Sequence, residues 1–234
     1  MGILLAMIRW VYFDLGGTLL DDLPFHDYIY GTMLTMFTER GYNVTMDEFV
    51  SMRDSFVRKR IPVLKSLIVH FTGNESHVEP FMKELMSRIE GKGPKLQSPF
   101  PESQQVLEKV RTRYKLGVIA NQEVAIHDLL NKVGWNRMFD GIIISEEVRL
   151  WKPDARIFEM ALSKAGCKPS EAVMVGDRID NDVIPAKRLG MKTVRFKWGI
   201  FWPQEPASER EKPDLEILSL YDLPDALERL RDRL

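Results

Sequence analysis

Cysteine is scarce in this chain, and long apolar runs are absent from it. The single cysteine, Cys167, excludes an intramolecular disulfide framework and is typical of a protein in a reducing compartment. No segment approaches the ~18 consecutive apolar residues of a membrane-spanning helix, and residues 1–6 are too few for the apolar region of an export signal. We therefore expect a soluble, cytoplasmic protein without a membrane partner, with translation starting at Met1 or at Met7.

An excess of charge of either sign is also lacking, with 33 basic residues against 34 acidic residues and a net charge of −1. Such a balance would attract neither nucleic acid nor an anionic membrane surface, so the sequence predicts neither as a partner. Hydrophobic residues make up 44% of the 234 positions, which is typical of a globular protein with a substantial core. The oligomeric state stays open between monomer and homodimer.

Residues 7–22 combine a strand pattern with a glycine-rich turn. The apolar, β-branched and aromatic residues 8–13 have the length of a buried strand, and Asp14 follows directly. The Gly-Gly-Thr sequence at 16–18 comes next, in which glycines allow backbone N–H groups to approach an anion and the threonine adds a hydroxyl donor. The pattern indicates an anion-binding turn at a strand end, although alone it fits a core strand with a solvated aspartate equally well.

Helical periodicity dominates residues 24–93. The predicted helices cover residues 28–41, 45–58, 61–71 and 78–89. Thr45, with Glu48 three residues later, has the pattern of a capping box at the start of the second helix. The glycine- and proline-containing residues 91–99 are interpreted as a flexible connection. The sequence therefore predicts an all-helical domain over 23–98, inserted into a core formed by 1–22 and 99–234.

Helices and strands alternate from residue 102 onward. The predicted strands are 116–120, 142–145, 172–176, 192–196 and 216–218, and the predicted helices are 102–113, 124–133, 153–165, 182–189 and 224–233. This alternation predicts an α/β fold with a Rossmann-like, doubly wound parallel sheet. Ligands bind beyond the carboxyl ends of such strands. Asp14 follows the strand at 8–13, Asn121 and Asp177 follow two of the later strands, and Lys152 lies in the loop after 142–145, so we expect their side chains to converge.

Four segments, in this order, resemble the motifs of the haloacid dehalogenase superfamily. They are FDLGGTLLD at 13–21, GVIANQ at 117–122, WKPDARIF at 151–158 and VMVGDRIDNDVIPAKRLGM at 173–191. The helical residues 23–98 stand where that superfamily has its type-1 cap domain. The resemblance implies a Rossmann-like core with a helical cap, and a hydrolase, in particular a phosphatase that acts on a small phosphorylated metabolite.

The chemistry of the matching residues is that of phosphoryl transfer. Asp14 is placed to attack phosphorus and to form an aspartyl-phosphate, and Asp177 would hold Mg²⁺ together with it. The cation would screen the repulsion between an anionic nucleophile and an anionic phosphate. The resemblance further implies the Gly16 carbonyl as a third metal ligand, and Lys152 and Asp182 as catalytic residues, with Asp182 orienting Lys152 or a metal-bound water.

A second set of residues is expected to spread the charge of the transferring phosphoryl group. This set consists of Gly17, Thr18, Asn121 and Lys152, and Ala120 is expected to line the phosphate site with them. Asn121 could also cap the helix that follows it. In the acidic loop, Asp180 is ranked below Asp182, because Asp182 matches the motif spacing.

Two positions depart from the superfamily's pattern. Gly16 stands where its phosphatases carry an aspartate that protonates the leaving oxygen and then deprotonates the attacking water, and such acid–base catalysis is typically worth ~10²–10⁴-fold. Ala120 stands where a serine or threonine is usual, which removes one phosphate donor. Asp21, Asp22, His26 or another cap residue could supply the acid, although each also has the simpler interpretation of a surface residue.

These departures leave several functions open, the first of which is a phosphatase with slow or specialised turnover. A phosphonate hydrolase tolerates a non-acidic residue 16 but needs a cap lysine, for which Lys59 and Lys65 are available. A dehalogenase-like chemistry is disfavoured by the Asp177 and Asp182 pair, and a binding or regulatory protein would not require that set. An actin-like sugar kinase has a similar Asp-x-Gly-Gly-Thr loop, but this sequence has no second glycine-rich phosphate motif.

Overall fold

A six-stranded parallel sheet forms the centre of the computed structural model, which describes residues 7–231 of the chain. Its strands are β1 (Trp10–Phe13), β4 (Lys115–Ala120), β5 (Gly141–Ile144), β6 (Ala172–Gly176), β7 (Lys192–Phe196) and β8 (Leu215–Ile217). A separate antiparallel pair is formed by β2 (Leu20–Asp21) and β3 (Ser98–Pro99). The interpretation of residues 1–6, including a start at Met1, lies outside the described residues.

The strand order β5-β4-β1-β6-β7-β8 places β1 at the point where the chain changes direction across the sheet. From β1, β4 and β5 extend to one side, and β6, β7 and β8 extend to the other. All four residues of β1 are buried, as expected for a central strand covered on both faces. Ligand sites of doubly wound sheets lie beside such a switch point, so the residues that follow β1 and its neighbours are placed for function.

Helices cover both faces of this sheet, which confirms the predicted doubly wound α/β class. They are α5 (Ser103–Arg111), α6 (Ile126–Lys132), α7 (Ser145–Val148), α8 (Ala155–Ala165), α9 (Ile184–Leu189) and α10 (Leu223–Arg231). Val11 and Phe13 of β1 point to the face covered by α5, α6 and α10, whereas Trp10 and Tyr12 point to the face covered by α8 and α9. The alternation along β1 therefore divides the core into two layers.

Four helices precede α5 and share an apolar core of their own. They are α1 (Leu23–Glu39), α2 (Met46–Arg58), α3 (Val63–Thr72) and α4 (Val78–Ile89). Met33, Phe37, Phe49 and Leu85 are fully buried in that core, which is separate from the two layers around the sheet. The capping box at Thr45 forms as predicted. Within the described residues, none of the helices combines the length and apolarity that crossing a membrane requires.

Apart from shifts of a few residues at the ends of several elements, three details differ from the sequence prediction. Residues 91–99 are not a flexible connection, because Gly93–Lys95 form a helical turn and Ser98 pairs with Asp21 in the β2–β3 pair. This pair ties together the two chain segments that join the helices to the sheet. The predicted helix 182–189 begins only at Ile184, because Ile179–Val183 form a wider π-helical turn. The short helix α7 replaces the last predicted residue of β5.

Candidate active site

Three carboxylates meet at the carboxyl edge of the sheet. Asp14 follows β1, Asp177 follows the adjacent β6, and Asp182 lies in the π-helical turn after Asp177. One carboxylate oxygen from each lies within 4.8 Å of the others. The Asp14 N–H donates to the Val175 carbonyl at 2.9 Å, so the β1–β6 pairing continues to this residue and fixes its main chain. The predicted convergence of Asp14 and Asp177 at one edge is thus present.

Lys152 inserts its ammonium group between two of these carboxylates. Its Nζ donates to Asp182 Oδ1 at 2.6 Å and lies 2.9 Å from Asp14 Oδ1. The lysine side chain is only 1% exposed. Burial opposes the charged form, but the Asp14 and Asp182 carboxylates outweigh it and raise the pKa of Lys152. The site therefore contains a buried cation that is held directly beside Asp14.

Because the three carboxylates are buried, the state in which all of them are ionised has an unfavourable free energy. Burial raises the pKa of Asp14 to about 6, against the opposing effect of Lys152. Burial, followed by the nearby Asp182 and Asp14 carboxylates, also raises the pKa of Asp177 well above its usual range. Like charges in a low-dielectric site repel strongly. A bound divalent cation would relieve this repulsion.

Two buried polar atoms beside the cluster find no hydrogen-bond partner among residues 7–231. They are Asp177 Oδ1 and the Thr18 hydroxyl. An unpaired buried polar group costs about 1–3 kcal/mol, so such atoms in a folded protein indicate a missing partner. A carboxylate oxygen next to other carboxylates suits Mg²⁺ or a similar hard cation, whereas a free hydroxyl can donate to an anion.

The turn after Asp14 requires glycine at residue 17. Gly17 has a φ of +66°, and a β-carbon on it would lie 2.6 Å from Asp177 Oδ2. Glycine therefore permits both the left-handed conformation and the close approach to the acidic residue. The Gly17 N–H donates to Leu20 and the Thr18 N–H donates to Leu15, so both amides are used within the turn. Of the two predicted phosphate-binding residues Gly17 and Thr18, only Thr18 therefore has a donor left for a phosphate, its side-chain hydroxyl.

The other predicted site residues differ in whether they reach the acidic cluster. Asn121 uses both ends of its amide on the Lys152 main chain, and does not cap α6, whose N-cap is Ala125. Ala120 is fully buried at the end of β4, where its methyl group offers no donor. Asp180 pairs with Arg178 at 2.7 Å, whereas Asp182 is the one that reaches Lys152.

Sequence reasoning missed Arg195, a fully buried arginine on β7. Its guanidinium group donates to the carbonyls of Asp177 at 3.1 Å and Gln204 at 2.9 Å. The Gln204 side chain in turn accepts from the Ile179 N–H at 2.8 Å. Arg195 thus ties the acidic loop after β6 to the segment that follows β7. The signal was a single arginine within the apolar strand sequence KTVRF.

A cavity of about 540 Å³ lies between the four inserted helices and the sheet edge. Its core wall includes Pro153 and Arg178, which directly follow Lys152 and Asp177 in the chain. The opposite wall comes from α1, α3, α4 and the segment between α2 and α3. That wall includes His26, Ile29, Tyr30, Arg60, Lys65 and Met82. Asp14, Lys152, Asp177 and Asp182 do not line the cavity themselves, and it meets the acidic cluster only through their neighbours in the chain.

The fold and the cluster together define a class of protein. It is a doubly wound α/β protein with an aspartate after its central strand, a buried lysine and an acidic loop on the adjacent strand. The chain belongs to the haloacid dehalogenase-like hydrolases, whose family model matches residues 11–196. The resemblance drawn from the four motifs is thereby confirmed, and the chain is a hydrolase.

Several relatives of the chain are phosphatases by name. It is 37% identical over 134 residues to a glyceraldehyde 3-phosphate phosphatase of Methanopyrus kandleri, a match over 56% of this chain and 58% of that protein. It is 27% identical to the protein of the same name from Methanocaldococcus jannaschii, over 96% of this chain and 99% of that one. A crystal structure of a HAD phosphatase from Thermococcus onnurineus superimposes with a TM-score of 0.60 at 27% identity, covering 94% of this chain and 98% of that chain.

Proposed function

We propose that the chain is a Mg²⁺-dependent phosphatase that hydrolyses a small phosphorylated metabolite through an aspartyl-phosphate on Asp14. The observation that carries this proposal is the placement of Asp14, with Lys152 at 2.9 Å on one side and the unpaired Asp177 oxygen in the same cluster. Relatives named glyceraldehyde 3-phosphate phosphatase support a phosphorylated substrate of small size. The curated match to the first of these spans 58% of its length, so its substrate is not transferred to this chain.

The acidic cluster fits Mg²⁺ by its donor set. Asp14 and Asp177 would provide carboxylate oxygens, and the Gly16 carbonyl would provide a third ligand. When bound, the cation would offset the negative charge of the cluster and of the phosphate. The fit rests on the Asp177 oxygen that has no partner within the described part of the chain, and on three carboxylates within 4.8 Å of one another.

The residues around Asp14 would have separate roles in the reaction. The Leu15 N–H donates to Asp14 Oδ1 at 2.8 Å, and Lys152 lies at the same oxygen, so we assign the attack on phosphorus to Oδ2. Lys152 and the Thr18 hydroxyl would stabilise the charge on the phosphoryl oxygens. Asp182 touches Lys152 and would act as its positioning residue.

The helices over 23–98 would form the cap domain, and residues 1–22 and 99–234 the core domain. Their separate apolar clusters support this division. The 540 Å³ cavity between them would bind the part of the substrate beyond its phosphate group, and would thereby determine substrate specificity. Lys65 on its wall favours a substrate with a further anionic or polar group, whereas the nearby Arg60 is already paired with Glu211 at 2.7 Å.

A phosphonate hydrolase is the second candidate, because Lys65 lines the cavity beside the site. Lys59 lines a different cavity, together with Arg188 and Glu211. A phosphonate hydrolase would join Lys65 to an aldehyde substrate as an imine. Borohydride would then trap the phosphonate on Lys65, whereas a phosphatase would show no substrate-dependent mass increase there.

The proposed function is tested by turnover of an aryl phosphate in Mg²⁺ and in excess chelator. We expect turnover by wild type in Mg²⁺ alone, and a loss of at least ~10³-fold in Asp14→Asn, because the nucleophile is removed. Asp140→Asn is the matched control, since Asp140 lies at the opposite end of the sheet and pairs with Lys115. Full Mg²⁺-dependent turnover by Asp14→Asn would show that the mechanism is wrong.

A further inference from the structure

Gly16 lies against the carboxylate of Asp22. A β-carbon on residue 16 would lie 2.5 Å from Asp22 Oδ2 and 3.3 Å from Asp22 Cγ. Within an aspartate, the β-carbon and its own carboxylate oxygens are about 2.4 Å apart, from ordinary bond lengths. The distance from this β-carbon position to Asp22 Oδ2 is therefore about the same as the distance to a carboxylate oxygen of an aspartate at residue 16 itself. The Asp22 carboxylate takes up space that a side chain at residue 16 would need.

The backbone holds Asp22 in this place. The Leu15 carbonyl accepts N–H groups from Thr18, Leu19 and Leu20, which folds the chain back on itself directly after Asp14. Strand β2 then pairs with β3, with Asp21 opposite Ser98. Asp22 follows β2 immediately, so its position next to the nucleophile's turn is set by regular hydrogen bonding on both sides.

The Asp22 side chain is not used for capping α1. Asp22 is the N-cap residue of that helix, but its side chain makes no capping hydrogen bond. The carboxylate of the preceding Asp21 instead accepts from the Leu23 N–H at 3.0 Å. Asp21 thus fills the ordinary structural role of an aspartate at a helix start. Helix capping therefore does not explain the presence of Asp22.

His26 holds the Asp22 carboxylate from the next turn of α1. Its Nε2 lies 3.3 Å from Asp22 Oδ2, and the two side chains are 19% and 16% exposed. The His26 ring packs against Tyr30 and Phe201, with centroids at 6.0 Å and 5.8 Å. His26 also lines the 540 Å³ cavity. The Asp22–His26 pair therefore lies between Gly16 and the space where we place the substrate.

We infer that Asp22 is the catalytic acid–base residue that replaces the missing side chain at residue 16, with His26 as its positioning residue. This inference rests on the proposed phosphatase function. As Asp14 bonds to phosphorus and the bond to the leaving oxygen breaks, the Asp22 carboxyl proton passes to that oxygen and the alcohol departs. The Asp22 carboxylate then takes a proton from water, whose oxygen bonds to phosphorus while the bond to Asp14 breaks. Phosphate leaves, and Asp14 and the protonated Asp22 are restored.

The test compares two esters, the phosphate of an aliphatic alcohol and 4-nitrophenyl phosphate. Asp22→Asn keeps the size of the side chain but cannot transfer the proton, so we expect kcat for the alkyl ester to fall ~10²–10⁴-fold. The loss on the aryl ester should be at least ~10-fold smaller, because nitrophenolate leaves without a proton. Asp21→Asn, the control at the adjacent residue, should keep both rates within about twofold of wild type.

Further single and double variants separate catalysis from folding. Asp22→Gly with Gly16→Asp moves the carboxylate back to residue 16, and should recover the alkyl ester rate at least ~10-fold over Asp22→Gly alone. Gly16→Asp alone should give no gain, because both carboxylates would compete for one space. His26→Gln should lower the alkyl ester rate in wild type but add little in the Asp22→Asn background, as expected for residues that act together.

The outcomes distinguish failure of the proposed phosphatase function from failure of the role of Asp22 alone. If wild type hydrolyses neither ester, the proposed phosphatase function fails and the role of Asp22 fails with it. If wild type is active but Asp22→Asn loses no more on the alkyl ester than on the aryl ester, only the role of Asp22 is wrong. A large gain in the alkyl ester rate from Gly16→Asp alone would also overturn it, because no acid would then stand in for residue 16.

Discussion

Asn121 and Lys152 are joined by a reciprocal pair of hydrogen bonds. Asn121 Nδ2 donates to the Lys152 carbonyl at 2.9 Å, and the Lys152 N–H donates to Asn121 Oδ1 at 2.8 Å. One side chain after β4 thus holds the main chain of the loop after α7. Because the lysine main chain is fixed, its Nζ can reach Asp14 and Asp182 together.

Replacement of Asn121 should therefore act through Lys152. We expect Asn121→Ala to lower kcat for an aryl phosphate by ~10–100-fold with a smaller change in KM, because a displacement of about 1 Å at a catalytic group has a cost of that order. Asn121→Asp keeps the acceptor for the Lys152 N–H and should lose less. Steady-state kinetics checks this, and a raised KM with unchanged kcat would instead support direct contact of Asn121 with the substrate phosphate.

Removal of the Lys152 ammonium should destabilise the fold more than loss of a surface charge does. Lys152→Met would leave Asp14 and Asp182 buried without their cation, at a cost of about 3–5 kcal/mol. Lys115→Met is the control, because Lys115 pairs with Asp140 at 2.7 Å but is 64% exposed, and such pairs contribute about 0–1 kcal/mol. Urea unfolding in chelator measures both, and equal losses would contradict the prediction.

Gly17→Ala should damage both the turn and the acidic cluster. The positive φ costs a non-glycine residue roughly 1–2 kcal/mol, and the added β-carbon would displace the Asp177 carboxylate, which lies 2.6 Å from its position. We expect a loss of activity on the order of 10² as well. Gly31→Ala, in the middle of α1 with no atom within 4 Å of the new β-carbon, should be neutral or stabilising by up to about 1 kcal/mol. Urea unfolding and steady-state kinetics of both variants measure these effects. Equal stability and equal activity of the two variants would contradict the prediction.

Cys167 should be unreactive in the folded protein. Burial, followed by the nearby Glu171, raises the pKa of the Cys167 thiol to about 11, so the thiol stays protonated at neutral pH. We expect alkylation at pH 8 to be roughly a hundredfold slower than after unfolding, and to accelerate as pH approaches 11. Mass spectrometry of the alkylated protein with and without denaturant measures this. Equal rates in the two conditions would show that the thiol is exposed.

The sequence predicted most of the α/β core because its strands are buried on both faces. Strands β6 and β7 match their predicted bounds, since continuous apolar runs between turn residues are a strong local signal. The pair β2–β3 was missed, because strands of two residues have no periodicity to detect. The last two residues of the π-helical turn at Ile179–Val183 were predicted as the start of an α-helix, since the spacing of the two helix types differs little.

The candidate site was predictable where a residue directly follows a strand. Asp14 and Asp177 lie side by side because their strands pair, and parallel strands bring their carboxyl ends together. Asp22 could be named as an acid from the sequence but not preferred over Asp21. Its position depends on the fold-back of the chain onto the Leu15 carbonyl and on which of the two carboxylates caps α1. Such side-chain choices are made by three-dimensional contacts, not by local pattern.

The central claim is that Asp14 carries the phosphoryl group during turnover. Excess protein is mixed with an aryl phosphate and Mg²⁺, quenched within the first turnover and treated with borohydride, which reduces an acyl phosphate to an alcohol. Mass spectrometry of the peptide that contains Asp14 should then show conversion of this residue to homoserine, dependent on both substrate and Mg²⁺. Turnover during which residue 14 remains aspartate, or reduction at another carboxylate such as Asp177, would contradict the account.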